Sequence, residues 1–514
     1  PTGSIYYDTF ATDYVGSDEE DDFFSWFLSS DLLQDGENFI AVEIHQVSES
    51  SSDISFDLEL IGISYSNIVL MDSISFIDQI SDVSYGRTNN ESGWSFFGEP
   101  TPGMPNNTSA STTVEVSSDV AFSVSPGFYE SPQMIELFSE DPIFYTLDGT
   151  KPGSNDLLYI DPIPIMNTTV LKVRSMGLNK FPSEVLASTY FISEQNYLPA
   201  ISLSANPETL WDEDIGIYEN EYKQREIPVT IEYFTPENNY QFTVSAGARL
   251  GGENIWTKPQ KPFTIYTRNR FGQDFITYPL FKNKPIANFS RIVLRNGGDD
   301  WEETLIRDPM TESLVAGMME CGYMAYSPSS LFLNGEYWGI HNIREKFDTQ
   351  YFSENFNVNP DNLDHLEYTN TQSGTEMLVI EGTRDHYNSM IGYIMSHDLN
   401  NVNVYNEIQQ RMNIDSFIDQ VTMTIYCANT SWGHNREWWR PREEDGKWQW
   451  LIVDLDRGFN ENNSNTNLID NLKDDYDLFQ YLLNSSFFVN RFVQRSAAHL
   501  SNTFFAGRIN SIVD

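Results

Sequence analysis

Cysteine and basic residues are scarce in this sequence of 514 residues. Its two cysteines, Cys321 and Cys427, match no paired spacing, which favours two buried thiols, with a single disulfide as the alternative. Lysine and arginine number 30 against 75 aspartate and glutamate residues, so the formal net charge is −45. Nucleic acids and anionic membrane surfaces bind clustered basic residues, so this balance argues against both as partners.

Long apolar runs and several common functional motifs are also absent. The apolar runs are short and interrupted, which excludes a membrane-spanning segment. The sequence contains neither GxxxxGK[ST] nor GxGxxG, and it lacks HExxH, CxxC and GxSxG, so the usual nucleotide, zinc-protease and hydrolase signatures are missing. Hydrophobic residues nevertheless make up 40% and aromatic residues 14%. This is enough for folded cores, and the length predicts about three domains.

The pattern of the chain changes from all-β to mixed structure. Residues 1–112 alternate apolar and polar residues in short runs, which predicts a β-sandwich. A Ser/Thr-rich linker leads into residues 113–195, where short strands around an Asp148-Gly149 turn predict a seven-stranded sandwich. In residues 196–514, strand-like runs alternate with runs of helical periodicity. The predicted fold class is a multidomain protein, with N-terminal all-β sandwich modules followed by an α+β domain.

A predicted hairpin in the last domain carries the most informative polar residues. Two strand-like runs, REWWRP and KWQWLIVDLD, flank Asp445-Gly446, which is a strong hairpin signal. If these two residues form the centre of the turn, Asn435 faces Asp456, and Asp454 lies one diagonal step away on the same face. Two carboxylates and an amide suit a divalent metal that holds nucleotide phosphates. The alternative is that the Asp-x-Asp sequence caps a turn or loop.

Two N-terminal stretches resemble known β-sandwich modules. The phrase YTLDGTKP at 145–152, with the segment that closes at Tyr190, resembles the module found C-terminal in chitobiases. That resemblance implies a spacer or a unit that makes weak glycan contacts. The phrase SYGRTNNESGWSFFGEPTPGMPN at 84–106 resembles the end of a lamin-tail sandwich, whereas the earlier run GENFIAVEIHQ looks like the last strands of a jelly roll. Residues 1–112 are therefore predicted to be a composite or truncated sandwich.

Several phrases of the large domain resemble one kinase family. KPQKPFTIYTRNRFG (258–272), SRIVLRNGGDDWEETLIRD (290–308) and LFLNGEYWGIHNIREKFDTQYF (331–352) precede the hairpin in the order typical of the spore-coat protein CotH kinase family. The resemblance covers residues 198–510 and implies an atypical, kinase-like α+β fold with ATP-dependent protein kinase activity. It also implies ATP and Mg²⁺ or Mn²⁺ as cofactors, with Ca²⁺ as an alternative metal.

The resemblance implies a role for each matching position. Lys261 is expected to contact phosphates, and Glu345 to pair with a lysine or to position the site. Asn435 and Asp454 are the expected metal ligands, supported by Asp456.

Further polar residues lie in the phrase 290–308. Arg295 and Arg307 are expected to add positive charge for the nucleotide. The Asp299-Asp300 pair follows a strand and precedes a helix, so it is predicted to cap that helix and complement its dipole rather than to act as a general acid or base.

One position departs from the family pattern. Kinases of this type have a catalytic Asp about five residues before the metal-binding Asn, where this chain has Thr430 or, with a one-residue gap, Ser431. Neither hydroxyl is a carboxylate base, and His434 is the candidate substitute. Reduced activity, or none, is therefore among the expectations.

The predicted function is that of a secreted or cell-surface bacterial kinase that phosphorylates Ser or Thr on an extracytoplasmic protein. The alternatives are a pseudokinase with a structural or adhesive role and a glycan-binding protein. The tryptophans that alternate along the hairpin predict a packed sheet face rather than a sugar platform; they are Trp438, Trp439, Trp448 and Trp450.

Overall fold

The computed structural model describes residues 60–64, 67–72, 83–87, 94–97, 105–106, 110–111 and 115–513, except 179, 221–222, 224, 253–257, 269–270, 372–373 and 464. The jelly-roll and lamin-tail predictions fall mostly outside these residues and stay predictions. The described strands of this region are β1 (Leu60–Ser64), β2 (Asn67–Asp72), β3 (Ser84–Arg87), β4 (Trp94–Phe97) and β5 (Ala110–Ser111). β1 pairs with β2, and β3, β4 and β5 form a three-stranded sheet.

The next region is a small β-sandwich. Its strands are β6 (Ala121–Phe122), β7 (Gly127–Tyr129), β8 (Gln133–Ile135), β9 (Leu137–Phe138), β10 (Ile143–Thr146), β11 (Leu157–Leu158), β12 (Ile163–Ile165), β13 (Thr169–Ser175) and β14 (Leu186–Ile192). The main sheet has the order β11-β10-β13-β14-β7, while β12 pairs with β8 and β6 with β9. The seven-strand prediction is thus corrected: this region has nine short described strands, because neighbouring segments such as β8 and β9, separated only by Glu136, pair with different partners. The Asp148-Gly149 turn is confirmed by a φ of +88° at Gly149.

A closed seven-stranded barrel follows. Its strands, and a short pair beside it, are β15 (Ala200–Ser204), β16 (Ile227–Phe234), β17 (Tyr240–Leu250), β18 (Phe263–Tyr266), β19 (Ile276–Thr277), β20 (Asn288–Phe289), β21 (Arg291–Arg295), β22 (Tyr326–Leu333) and β23 (Glu336–Arg344). The barrel order is β15-β16-β17-β18-β21-β23-β22, and β22 closes it by pairing parallel with β15. Phe263 and Ile265 on β18 are buried in the barrel core, whereas Thr264 between them faces the opposite side.

The remaining part combines helices with a second sheet. The helices are α1 (Pro207–Trp211), α2 (Arg307–Val315), α3 (Thr349–Phe356), α4 (Asp385–Ser396), α5 (Val402–Arg411), α6 (Ile414–Tyr426), α7 (Leu468–Asp475), α8 (Asp477–Leu482), α9 (Ser486–Asn502) and α10 (Ala506–Val513). The sheet strands are β24 (Leu363–Thr371), β25 (Gly374–Glu381), β26 (Arg436–Pro441) and β27 (Gln449–Leu451), in the order β25-β24-β26-β27. The four alternating tryptophans of β26 and its partner run are all buried, as predicted, and most pack against α4 and α6. A strand-rich N-terminal part that contains a β-sandwich, followed by an α+β domain, confirms the predicted fold class.

The hairpin of β26 and β27 has a different register from the prediction. Glu437 pairs with Leu451 rather than with Asp454. The strand ends at Pro441, which has no N–H to continue the ladder. The loop that follows is longer than two residues and contains a turn closed by the Gly446 amide and the Glu443 carbonyl at 3.0 Å.

The sandwich and the barrel share a buried contact. Phe128 and Phe191 of the sandwich stack at 4.1 Å between ring centroids. Phe191 also lies 5.3 Å from Phe234 and 4.5 Å from Phe332 of the barrel. These rings form one small apolar core across the two units. The sandwich is therefore packed against the barrel rather than tethered to it by a free linker.

Two smaller predictions concern membrane spans and thiols. In the described part of the chain, every helix is too short or too polar to cross a membrane. Cys321 and Cys427 are buried and are not joined in a disulfide, as predicted. Burial raises the pKa of the Cys427 thiol to about 12, which makes it unreactive.

Candidate functional site

A cleft of about 330 Å³ lies between the barrel and the second sheet. Thr264 and Val293 line the barrel side, from β18 and β21, and Glu367 and Glu437 line the other side, from β24 and β26. The volume is within the range of small-molecule sites. The cleft is therefore the candidate active site.

The cleft is far less acidic than the chain as a whole. Its described lining contains five basic and six acidic side chains, against 30 and 75 in the full sequence. The basic residues are Lys258, Arg295, Arg344, Lys346 and Arg457, and the acidic ones are Asp299, Glu345, Glu367, Glu437, Asp454 and Asp456. Because the chain as a whole carries a formal net charge of −45, this near balance makes the cleft less repulsive to an anionic ligand than the average composition of the chain.

The predicted metal ligands come together at one wall of the cleft. Asn435 Nδ2 lies 2.8 Å from Asp454 Oδ2. Asp454 follows the end of β27 in a left-handed conformation, with a φ of +50°. The left-handed turn at Asp454 and the loop before β26 thus bring Asn435 and Asp454 together, although the prediction of this contact assumed a different register of the two strands.

Arg295 joins the two carboxylates of the Asp-x-Asp sequence. Its guanidinium donates to Asp454 Oδ1 and to Asp456 Oδ2, the latter at 2.9 Å. Asp456 also accepts the backbone amide of Asp299 at 2.9 Å. Burial, together with the negative charge of Asp454, raises the pKa of Asp456 to about 7. Arg295, expected to contact the nucleotide, therefore also neutralises the predicted metal ligands.

A buried acid-base network supports Arg295 from behind. Asp308 lies 3.6 Å from Arg295 Nε and accepts a hydrogen bond from Arg344 Nη1 at 2.6 Å. Burial opposes ionisation of Asp308, but the two guanidiniums hold its pKa at about 2. Asp308 also accepts the Leu455 amide at 2.8 Å. The same carboxylate therefore fixes both Arg295 and the backbone between the two site aspartates.

Glu345 has a lysine partner, but that partner is Lys284. Lys284 Nζ lies 2.5 Å from Glu345 Oε2 in a buried ion pair. Lys261 is placed elsewhere: its ammonium lies 5.8 Å from the ring centre of Tyr218, which belongs to the barrel core. Lys261 is not among the described residues that line the cleft. Its predicted phosphate contact would require a different side-chain position, and Lys258 and Lys346 are the lysines that do line the cleft.

The loop before β26 holds the catalytic candidates. Ser431 Oγ lies 3.2 Å from His434 Nε2 and 3.1 Å from Asn435 Nδ2. The Ser431 amide donates to Asn429 Oδ1 at 3.0 Å. Thr430 instead lies 3.4 Å from Asn463 through its hydroxyl and is not among the described lining residues. Of the two candidates for the expected catalytic position, Ser431 is therefore the one that lines the cleft beside Asn435.

Asp300 acts as a helix cap, as predicted. Its Oδ2 accepts the Arg307 amide at the start of α2 at 3.1 Å, and Oδ1 accepts the Thr304 amide at 3.1 Å. Asp299 instead pairs with Arg457 at 2.5 Å. Arg307 lies 3.2 Å from Asp300 and is not part of the described cleft lining. The expectation that Arg307 supplies charge to the nucleotide therefore has no geometric support.

The donor set at the cleft wall fits a hard divalent cation in type. The structure as described holds no cluster of three or more His, Cys, Asp or Glu residues that could bind a metal by themselves. Magnesium, however, is usually bound through one or two carboxylates together with water and substrate phosphates. Asp454 with Asn435, and Asp456 beside them, meet that requirement, although Arg295 balances part of their charge.

Sequence reasoning missed several residues of the cleft. Glu437 lies two residues after Asn435. Because strand side chains repeat with a period of two, this spacing could have identified Glu437 as a residue of the same face and thus of the cleft. Lys258 lies in the phrase quoted for Lys261, but no local pattern shows which of the two faces the cleft. Gly251 and Gly252 also line the cleft.

Comparison with known proteins supports the kinase-family and the chitobiase resemblances. The family model described as CotH kinase protein matches residues 249–514. The model described as chitobiase/beta-hexosaminidase C-terminal domain matches residues 124–187. No curated protein matches the chain.

Proposed function

Because the chain belongs to the CotH kinase protein family, we propose that the cleft binds ATP with Mg²⁺ or Mn²⁺ and transfers its γ-phosphate to Ser or Thr of an extracytoplasmic protein. One observation carries the proposal: Asn435 and Asp454 are in direct contact at the wall of a cleft whose described lining holds nearly as many basic as acidic side chains. Phosphoryl transfer depends mainly on positioning and on electrostatic stabilisation.

The cations of the cleft suit a polyphosphate. Lys346 is exposed, and Lys258 is one-fifth exposed beside the ring of Trp301 at 5.5 Å. Arg457 is half-exposed and forms an ion pair with Asp299, and a phosphate can replace that carboxylate. These side chains can turn towards a ligand at little cost, because exposed ion pairs contribute about 0–1 kcal/mol.

Asp454 and Asn435 are the residues that would hold the metal, with Asp456 beside them. When bound, a divalent ion neutralises phosphate charge and orients the γ-phosphoryl group. In the absence of other cations, the Arg295 guanidinium bridges the carboxylates of Asp454 and Asp456 and separates them from Asp308.

We place the protein in the secreted or cell-surface class of a bacterium. The support is architectural: a module that matches the chitobiase/beta-hexosaminidase C-terminal domain precedes the kinase-family region, and the acidic surface suits a protein exposed to salt. The acceptor is then a protein of the same compartment.

The test compares two aspartate variants of the full chain. Asp454→Asn removes a proposed metal ligand, while Asp445→Asn changes an exposed aspartate at the tip of the same hairpin. Isothermal titration with ATP and Mn²⁺ is expected to show binding for the wild type and for Asp445→Asn, and at least about tenfold weaker binding for Asp454→Asn. Equal binding by the two variants would remove the metal assignment. No binding by the wild type would remove the proposal.

A pseudokinase with a structural or adhesive role is the second candidate. The observation that favours it is that a serine, Ser431, rather than a carboxylate lies beside Asn435 where the family pattern leads us to expect the catalytic base. It predicts ATP binding without phosphate transfer to any protein. The glycan-binding alternative has less support, because the four hairpin tryptophans are buried.

A further inference from the structure

We propose that Ser431 is itself a phosphoryl acceptor, so that the chain phosphorylates the serine that stands at its own catalytic position. The proposal rests on the proposed function of the cleft, since ATP is the phosphoryl donor. It assigns a modification site to a serine that stands where the family pattern has a catalytic aspartate.

Ser431 has the contacts of an activated nucleophile. Asn435 Nδ2 donates to Ser431 Oγ at 3.1 Å, which leaves the hydroxyl hydrogen for His434 Nε2 at 3.2 Å. This requires the neutral imidazole with its proton on Nδ1. A hydroxyl within hydrogen-bond reach of a neutral imidazole is the arrangement by which proteins make serine nucleophilic.

The hydroxyl lies beside the residues proposed to hold the metal and phosphates. The same amide nitrogen of Asn435 that contacts Ser431 Oγ lies 2.8 Å from Asp454 Oδ2. A single side-chain amide therefore joins the acceptor hydroxyl to the carboxylate. Ser431, His434 and Asp454 all line the cleft.

The loop holds this hydroxyl in a fixed place. Asn429 accepts the Ser431 amide at 3.0 Å and donates to the Asp454 carbonyl at 3.3 Å. Trp432, the next residue, is buried. Ser431 itself is 5% exposed, so it cannot leave the cleft wall without breaking these contacts. Preorganisation of this kind favours reaction with a bound ligand over reaction with water.

The reaction balances without a further reactant. Ser431 Oγ forms a bond to the γ-phosphorus of ATP, and the bond from that phosphorus to the β–γ bridging oxygen breaks, which releases ADP. The hydroxyl proton passes to His434 Nε2 and then to solvent. The product is one phosphoserine per chain, with no change in oxidation state.

The reaction limits itself. Phosphoserine carries about −1.5 to −2 charges near neutral pH, and it would lie next to Asp454 and Asp456. The added charge and volume occupy the position that the γ-phosphate of a second ATP molecule would need. Modification therefore stops at one phosphate, unlike the turnover of a kinase that acts on a separate protein.

The experiment incubates the purified full chain with ATP and Mn²⁺ and measures intact mass and phosphopeptides. We expect one added phosphate per chain, located at Ser431, at a rate that does not change on dilution. Ser431→Ala is expected to abolish the modification, and His434→Gln to slow it by about 100-fold or more. Thr430→Ala, the neighbouring exposed hydroxyl, serves as the matched control and is expected to keep it.

Titration of the same samples with ATP and Mn²⁺ separates the two proposals. ATP binding, or transfer to another protein, with Ser431 unmodified overturns this inference and leaves the proposed function intact. Phosphate on another residue of the chain, with none on Ser431, also overturns it. Absence of both ATP binding and modification overturns the two together. Because the wild type gives the decisive result, a variant that fails to fold does not obscure it.

Discussion

The carboxylate of Glu232, on barrel strand β16, accepts a hydrogen bond from the backbone amide of Thr189, on sandwich strand β14, at 3.1 Å. The Thr189 hydroxyl donates to the other carboxylate oxygen and lies 2.7 Å from Ser202 Oγ. Glu232 is 1% exposed. Burial raises the pKa of Glu232 to about 7, against the opposing effects of the Thr189 hydrogen bonds and the charge of Lys172. The contact between the two units is therefore sensitive to pH.

The stability of the protein should fall between pH 4.5 and 7 because of Glu232. The ordinary pKa of 4.5 applies to the unfolded chain and a value of about 7 to the folded one. Between these values the unfolded state has released its proton and the folded state has not, so the free energy of unfolding decreases with rising pH, by about 3 kcal/mol in total. Above pH 7 both states are ionised and the loss is complete.

Glu232→Gln removes this titration and can keep an acceptor for the Thr189 amide. In urea unfolding at pH 5 and pH 8, the variant should gain stability relative to the wild type as the pH rises. Glu336→Gln, an exposed glutamate on barrel strand β23, is the control and should follow the wild type. An equal pH response in Glu232→Gln and in the wild type would contradict the assignment.

Lys284→Met should be strongly destabilising. It leaves the Glu345 carboxylate buried without its ammonium partner, and removing one member of a buried ion pair costs about 3–5 kcal/mol. Lys282→Met changes an exposed lysine two residues away and should stay within about 0.5 kcal/mol of the wild type. Chemical denaturation of the two variants measures the difference. If they match, the Lys284–Glu345 pair does not stabilise the fold.

Arg295→Met should make the protein more responsive to divalent cations. The substitution leaves Asp308, Asp454 and Asp456 close together without the guanidinium, which should cost about 3 kcal/mol when chelator is present. Mn²⁺ can then take over part of the lost charge, so its addition should raise the melting temperature of the variant more than that of the wild type.

The control for Arg295 is Arg457→Met. Arg457 also lines the cleft, but it is 49% exposed and pairs with Asp299 at the surface. Its loss should cost less than about 1 kcal/mol and should not increase the response to Mn²⁺. An Arg295→Met protein that ignores Mn²⁺ would show that the carboxylates do not form a cation site.

Gly298→Ala should disturb the Asp456 carboxylate directly. A Cβ at Gly298 would overlap Asp456 Oδ2, and the backbone there has a φ of +63°. Gly317 has a similar φ of +69° with open space around it, so Gly317→Ala isolates the backbone cost of about 1 kcal/mol. Gly298→Ala should cost about 1–3 kcal/mol more and weaken ATP binding in calorimetry. Equal stabilities and equal binding would mean that the Asp456 side chain moves freely.

The encounter of Asn435 with Asp454 could be predicted from sequence, because strand periodicity and a turn signal act over a short stretch. The register could not, since Asp445-Gly446 indicates a turn but not the length of the loop around it. The observed ladder is shifted by three positions from the predicted one, and β26 ends at Pro441.

Long-range polar pairs left no sequence signal. Lys284 and Glu345 are 61 residues apart, and Thr189 and Glu232 are 43 apart. At such separations no local period relates the two positions, so only the folded neighbours decide the partner. Lys261 illustrates this, because the motif that contains it could not show that its ammonium approaches Tyr218.

The closed barrel also determines which fragments of this protein can fold. The family match begins at residue 249, inside β17, whereas β15 and β16 precede it and β15 is the strand that closes the ring on β22. A fragment that starts at the match would present two open strand edges, which pair readily with other chains. A start at Ala200 restores the ring but uncovers the rings of Phe234 and Phe332. We therefore expect the smallest autonomously folding unit of the kinase-family region to include the sandwich, so that a transplanted unit has to carry that module with it.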